Sequence, residues 1–280
     1  MLKKVFNNKM VAVGSMVVLI IILISILAHV IITHDPLAMD LYNVAAPPSQ
    51  EHIWGTDELG RDIFSRVISG TRTSLIIAVL VVGMGTILGT LIGAISGYIG
   101  GIFDNLVMKI MDTLMAFPTI LLALFFVTIF GSGLYSAIIG VGLSTVPRFA
   151  RLIRGSVMSI KEKEYVEAQK AVGQLKIAIL FKHILPNCIG PIIVQATLTM
   201  GNSIITVAGL GFLGLGADPG VPEWGAMLSD ARSYLASKPG ICIYPGMAIA
   251  ITVLGFNLLG DGLRDILDVR QELGGNLDGR

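Results

Sequence analysis

Uncharged apolar runs constrain this chain more than any other feature. Residues 10–32 contain no Lys, Arg, Asp or Glu, and further apolar runs lie at 75–98, 108–130, 134–153, 188–210 and 243–262. About 20 apolar residues wound as a helix cross the hydrocarbon core of a bilayer. Lipid offers no hydrogen bonds to the backbone, so such runs must satisfy their own N–H and C=O groups, as helices do. The pattern predicts an all-α membrane protein, a polytopic helical bundle with about six transmembrane helices. Of the 280 residues 54% are hydrophobic and 14% charged, too little charge to cover a water-soluble domain of this length. The net charge of +1 gives no reason to expect a nucleic-acid partner.

The first run follows Lys3, Lys4 and Lys9 as a signal peptide would. It is too long for a signal's apolar region and lacks a small-x-small cleavage pattern before His34, so it reads as a retained span. Orientation follows from Lys and Arg. With both termini cytoplasmic, fifteen of the 20 basic residues fall inside, and only Arg61, Arg66, Arg72, Arg232 and Lys238 fall outside.

Within the spans, Gly85, Gly89, Gly93 and Gly97 recur every four residues. On a helix they form one flat stripe that lets another backbone approach closely. Asp112 is the ionisable residue singled out inside a span, near its cytoplasmic end, where Lys109 or water is within reach. No chain of charges crosses the mid-membrane, which argues against a proton-coupled carrier. Cys188 and Cys242 sit alone in apolar settings and read as core residues. His29, His34, His52 and His183 show no metal-binding spacing, and no metal site is expected.

Three polar stretches join the runs. The stretch 154–187 carries strong helix formers from Lys161 to Val172, and Gly173 closes them as a C′ glycine does. A second helical stretch runs from Leu175 to Leu185, ahead of Pro186. Composition admits two readings here, a lever tied to spans at both ends or a solvated amphipathic loop. The stretch 211–242, with Pro219, Pro222, Pro239 and repeated Gly, reads as an irregular external loop, with Trp224 suited to a membrane interface. The stretch around Asp57, Arg61 and Asp62 reads as a charged loop before the second span.

Glu167-Ala168, then Gly173, then Leu185-Pro186 resembles the EAA loop of ABC importer permeases, with Gln169 and His183 as departures. Gly55-Thr56-Asp57, Gly60-Arg61-Asp62 and Ser65-Arg66 resemble one branch, the second permease of dipeptide, oligopeptide and nickel importers. So do Phe212 to Asp218, Pro222 to Met227, Phe256 to Asp265, and Asp112 with Phe117-Pro118. The resemblance covers about residues 50–270. It implies that Tyr165, Glu167, Ala168, Gly173, Leu185 and Pro186 couple to an ATPase, and that Asp57, Arg61, Asp62 and Trp224 shape the external mouth or meet a binding protein.

No G-x-x-x-x-G-K-[ST] occurs, so ATP and Mg²⁺ are expected on partner ATPase subunits and no cofactor on this chain. No nucleophile motif or paired carboxylates suggest catalysis. The partners implied are a homologous second permease, two ATPase subunits and an extracytoplasmic substrate-binding protein. The expected division is 1–74 for the first span and external loop, 75–265 for the permease core, and 266–280 for a cytoplasmic tail. Peptide is the expected cargo, with nickel or a metal chelate as the alternative within the same architecture. A secondary carrier is the remote alternative.

Overall fold

The computed structural model describes residues 8–218 and 220–275, with side chains through 267. Helix α1, Lys9–Ile31, is capped by the Asn8 side chain, which accepts from the Met10 and Val11 N–H groups. Helix α2, Ile63–Ile99, follows the polar segment 32–62. Helices α3, Gly101–Met115, and α4, Thr119–Phe130, form a broken pair. Helix α5 is Leu134–Lys161 and the short α6 is Glu164–Ala171. Helix α7, Lys176–Ile179, winds through a π segment, Leu180–Ile184, and a 3₁₀ turn, Leu185–Cys188, into α8, Ile189–Phe212. Helix α9 is Trp224–Asp230, a 3₁₀ turn covers Ala231–Tyr234, and α10 is Gly240–Gly275.

Five helical stretches are long and apolar enough to cross a membrane, and α3 with α4 makes a sixth if the pair is one span. That pair corrects the straight span expected at 108–130. It bends by 99° because Pro118 cannot donate to the ladder and forces extended backbone before it. Helix α2 starts twelve residues before the span read from hydropathy, so the expected boundary at 74/75 falls inside a helix. Its first turns hold Ser65, Arg66 and Ser74, all buried, and polar residues buried against protein are invisible to a hydropathy window. Helix α5 likewise runs on past 153 to Lys161, held by Ile153 and Val157 in the core. The tail expected at 266–280 begins inside α10, and its residues 276–280 lie outside the described ones.

Backbone-to-backbone packing of small residues holds the bundle together, as expected where water gives no drive for helices to associate. The partner of the glycine stripe is α5. A Cβ on Gly85 would lie 2.0 Å from Thr145 Oγ1, on Gly89 2.4 Å from Phe149 Cβ, and on Gly93 2.2 Å from the Ala150 carbonyl oxygen. At Gly97 it would lie 2.9 Å from the Arg154 carbonyl oxygen. Helix α1 packs on α10 in the same way, with Gly14 against the Leu259 backbone and Gly262 against Val11.

Candidate functional site

Three assemblies of polar residues stand out from the apolar bundle. The first is the loop between α5 and α8. Helix α6 is eight residues long, too short to be stable alone. Its C-terminus is closed by a Schellman pair: the Gly173 N–H donates to the Lys170 carbonyl at 3.0 Å and the Gln174 N–H to the Gln169 carbonyl at 3.1 Å. Gly173 takes φ +82 there, the left-handed conformation that favours glycine. Its Cβ direction opens on free space, so the backbone angle, not crowding, is what calls for glycine.

Only Val166 of α6 is buried. It sits at 0% exposure in a core with Ala94 of α2, Ile153 and Val157 of α5, and Ile179 and Ile184. Tyr165, Glu167, Ala168 and Gly173 are exposed. Beyond them Val172, Leu175 and Ile177 stand 85%, 78% and 73% exposed, an apolar strip next to a polar helix. Burial pushes the Tyr165 phenol above its ordinary value. Leu185 and Pro186 lie where the winding changes. Pro186 has no N–H for the carbonyl four residues back, and the helix widens just before it.

The second assembly is a cap over the start of α2. Asp57 accepts from Arg61 Nε at 2.7 Å and from the Leu59 and Arg61 N–H groups at 2.9 Å. Arg66 Nε lies 3.2 Å from the same carboxylate, and Arg61 also meets Glu58 and Asp230. Asp62 caps α2 by accepting from the Ser65 N–H at 2.8 Å, and it bonds His52. Burial, with the neighbouring Asp57 charge, pushes the Glu58 carboxyl above its ordinary value.

Helix α9 completes the cap. Glu223 accepts from the Gly225 and Ala226 N–H groups at 2.8 Å and from Ser74 Oγ of α2 at 3.3 Å. Burial pushes its carboxyl upward, and those hydrogen bonds oppose the shift. Trp224 is 1% exposed and its Nε1 donates to the Val67 carbonyl at 3.1 Å. This corrects the reading of Trp224 as an interfacial residue on an irregular loop: Pro222 and Glu223 start a helix whose Gly225 lies directly on the α8 backbone at Ala208. Asp57, Arg61 and Asp62 are 3%, 1% and 2% exposed, so their side chains hold one another inside the cap and present almost no contact surface. Pro219 lies outside the described residues.

The third assembly is a groove of about 180 Å³ between α5 and α8, lined by Thr145, Arg148, Thr199, Asn202, Ser203 and Thr206 among others. It is a polar interruption of α5 and α8. Thr119, at the start of α4, reaches it from the broken pair.

The sequence pattern of the binding-protein-dependent transport system inner membrane components matches residues 89–272, and that of the N-terminal TM domain of oligopeptide transport permease C matches residues 1–48. The chain belongs to this transport family. It is 45% identical over 270 residues to a dipeptide transport system permease protein DppC of Alkalihalophilus pseudofirmus, covering 96% of this chain and 89% of that one. It is 45% identical over 263 residues to a glutathione transport system permease protein GsiD of Escherichia coli, covering 94% and 87%. The fold is similar to a chain of the MetNI methionine ABC transporter solved in inward-facing conformations, with TM-score 0.59 at 20% identity over 72% of this chain and 96% of that one.

The protein is thus a multi-pass permease. Asp112, for which the sequence offered water or Lys109, is 46% exposed and pairs with Arg151 of α5. Asp104 takes Arg154 in a two-pronged pair at 2.6 and 2.7 Å. The charge tally places Arg148 on the cytoplasmic side, although it lies within the run drawn at 134–153, and a charge inside a span was the signal available. The fold brings His34, Glu51 and His52 together with ligand atoms within 4.8 Å, a grouping that the spacing of the histidines does not reveal. Those imidazoles already contact Asp62 and Thr33, which ties the segment 32–62 to the α2 cap. Cys188 and Cys242 are free, buried thiols.

Proposed function

We propose that this permease is one of two membrane subunits of an ATP-driven importer of short peptides, with both termini cytoplasmic. The observation that carries the reading is helix α6, which buries Val166 alone and leaves Tyr165, Glu167 and Ala168 exposed. An exposed apolar strip beside a polar helix is a surface made for another protein. Val166 joins that surface to α2 and α5, so a force applied by a partner reaches the spans. On this reading Tyr165, Glu167, Ala168 and Gly173 meet an ATPase subunit, with Leu185 and Pro186 at the hinge. Two ATPase subunits would hold ATP and Mg²⁺, a second permease would complete the pathway, and an external binding protein would deliver cargo to the capped mouth. Closure of the ATPases on ATP would then switch the spans between outward and inward access, a conformational step rather than bond chemistry. The dipeptide and glutathione relatives support a peptide cargo.

Val166→Asp tests the coupling. In the assembled importer reconstituted in liposomes, uptake of a dipeptide should fall about tenfold or more, because an unpaired carboxylate has no place in that core. ATP hydrolysis should continue. Uptake that stays in step with hydrolysis in this variant would sink the lever. Wild-type uptake of nickel and not peptide would replace the cargo, and uptake without the ATPases would favour a secondary carrier.

Orientation has its own test. Tyr42 is fully exposed on the external segment and Val172 is 85% exposed on the α6 loop. Tyr42→Cys should react with an impermeant thiol reagent in intact cells, and Val172→Cys only after permeabilisation. The reverse pattern would invert the topology.

A further inference from the structure

Arg148 stands apart from the other arginines of α5. Arg151 is paired with Asp112 and Arg154 with Asp104, both on α3. The Arg148 guanidinium has no ion pair or hydrogen bond among the described residues, and no acid lines the groove it faces. It lies about 20 Å along α5 from Leu134, at 1.5 Å per residue, midway along the helix and within the apolar run 134–153. Arginine stays charged there, and an unpaired charge at that depth is held in a span only where it faces a polar cavity and an opposite charge.

The groove supplies the rest of a recognition site. Ser203 is 1% exposed and its hydroxyl has no hydrogen-bond partner, an anomaly for a buried polar group. Asn202 brings a side-chain amide with donors and an acceptor. Thr145, Thr199 and Thr206 donate their hydroxyl protons to carbonyls of their own helices, at 2.7, 2.6 and 2.8 Å. Thr199 Oγ1 also accepts from Gln195 Nε2 at 3.1 Å and Thr145 Oγ1 packs against Gly85 of α2, which leaves the Thr206 hydroxyl and the Asn202 side-chain carbonyl as the acceptors of the groove. A fork of donors suited to a carboxylate, next to acceptors suited to amide or ammonium N–H groups, matches the free C-terminal end of a peptide.

We infer that the α5–α8 groove is a transit subsite for the carboxylate-bearing end of the cargo, with Arg148 binding the carboxylate and Asn202 and Ser203 hydrogen-bonding beside it. The inference rests on the peptide-import reading above. It assigns cargo discrimination to this membrane chain, in addition to whatever a binding protein selects.

The test uses the assembled importer without its binding protein, so that the groove alone is read. Ile205 lines the groove and is 50% exposed, and Ile205→Cys serves as a reporter. A dipeptide with a free C-terminus should slow thiol labelling of this cysteine severalfold, and the same dipeptide as its C-terminal amide should not. Adding Arg148→Gln should abolish that protection, and in the importer with its binding protein it should lower dipeptide uptake about tenfold or more, as loss of a charge-assisted hydrogen bond does. Arg148→Lys should retain part of both, and all variants should hydrolyse ATP. Equal protection by acid and amide overturns the inference, and so does protection that survives Arg148→Gln. Loss of assembly in Arg148→Gln, rescued by Arg148→Lys with no acid-selective protection, assigns the arginine to an ion pair with another subunit and also overturns it. If the unmodified importer takes up no peptide, the function reading fails; if it takes up peptide with no preference for the acid at Ile205→Cys, only this inference fails.

Discussion

Asp57→Ala should unseat the cap over the start of α2 and lower the stability of the purified permease by about 3–5 kcal/mol, the range for breaking a buried ion pair by removing one partner. Two buried guanidiniums depend on this one carboxylate. Arg61 and Arg66 are each 1% exposed, and Asp57 lies 2.7 Å from Arg61 Nε and 3.2 Å from Arg66 Nε. Glu58 and Asp230 would still face Arg61, but Arg66 would keep only the carbonyls of Pro36 and Gly220, at 3.1 and 3.3 Å. The two cations would then repel each other in a poorly solvated space. The Leu59 and Arg61 N–H groups would also lose their acceptor. Asp57→Asn isolates the charge: it can accept those N–H groups but cannot neutralise the guanidiniums, so it should fall between wild type and Asp57→Ala. Thermal midpoints in detergent, with proteolysis at Arg61 and Arg66 as a local readout, check the ranking. A midpoint for Asp57→Asn equal to wild type would mean the charge contributes nothing, and a midpoint for Asp57→Ala equal to wild type would mean the cap is not held by this cluster.

The cap also marks where the sequence stopped being readable. Asp57, Arg61 and Asp62 were recognisable as a charged motif ahead of a span, but their burial was not. Charges enter a core only when partners arrive, and here one partner, Asp230, sits at the end of α9, far along the chain from Arg61. Trp224 shows the same limit: an amphipathic ring suits a bilayer interface or a protein core equally, and the deciding contact, the Val67 carbonyl, is distant in sequence. What depends on local chemistry was legible. The uncharged run of α1, the C′ position of Gly173 and the close packing implied by a four-residue glycine repeat each follow from residues within a few turns of one another. The break at Pro118 was also written locally, yet a continuous apolar count over 108–130 outweighed it. Arg148 was visible as a charge inside a run and was assigned to the cytoplasmic tally instead. Its meaning needed Thr199, Asn202 and Ser203 from α8, which no local pattern places beside it.

Replacement in the glycine stripe should have the other large effect. Gly93→Leu should prevent α2 and α5 from closing and sharply reduce the yield of folded permease, and Gly93→Ala should already lower stability by about 1–3 kcal/mol. The added Cβ at Gly93 meets the Ala150 carbonyl oxygen at 2.2 Å and its carbon at 2.9 Å. Both are main-chain atoms of a helix, so no side chain can rotate away, and relief requires the helices to part. Gly83 of α2 and Gly155 of α5 are internal controls. A Cβ on either meets nothing within 4 Å, so Ala at those positions should leave the thermal midpoint near wild type. Matching losses for Gly93→Ala and Gly83→Ala would reduce the stripe to a matter of glycine composition. The functional consequence of a milder separation is separable from folding. Gly93 precedes Ala94, which shares one buried core with Val157 and Val166, and α5 carries Arg148 at its middle. A Gly93→Ala permease that still folds should therefore transport less per ATP hydrolysed, because the contact that joins α6 to the spans is the one being pried open.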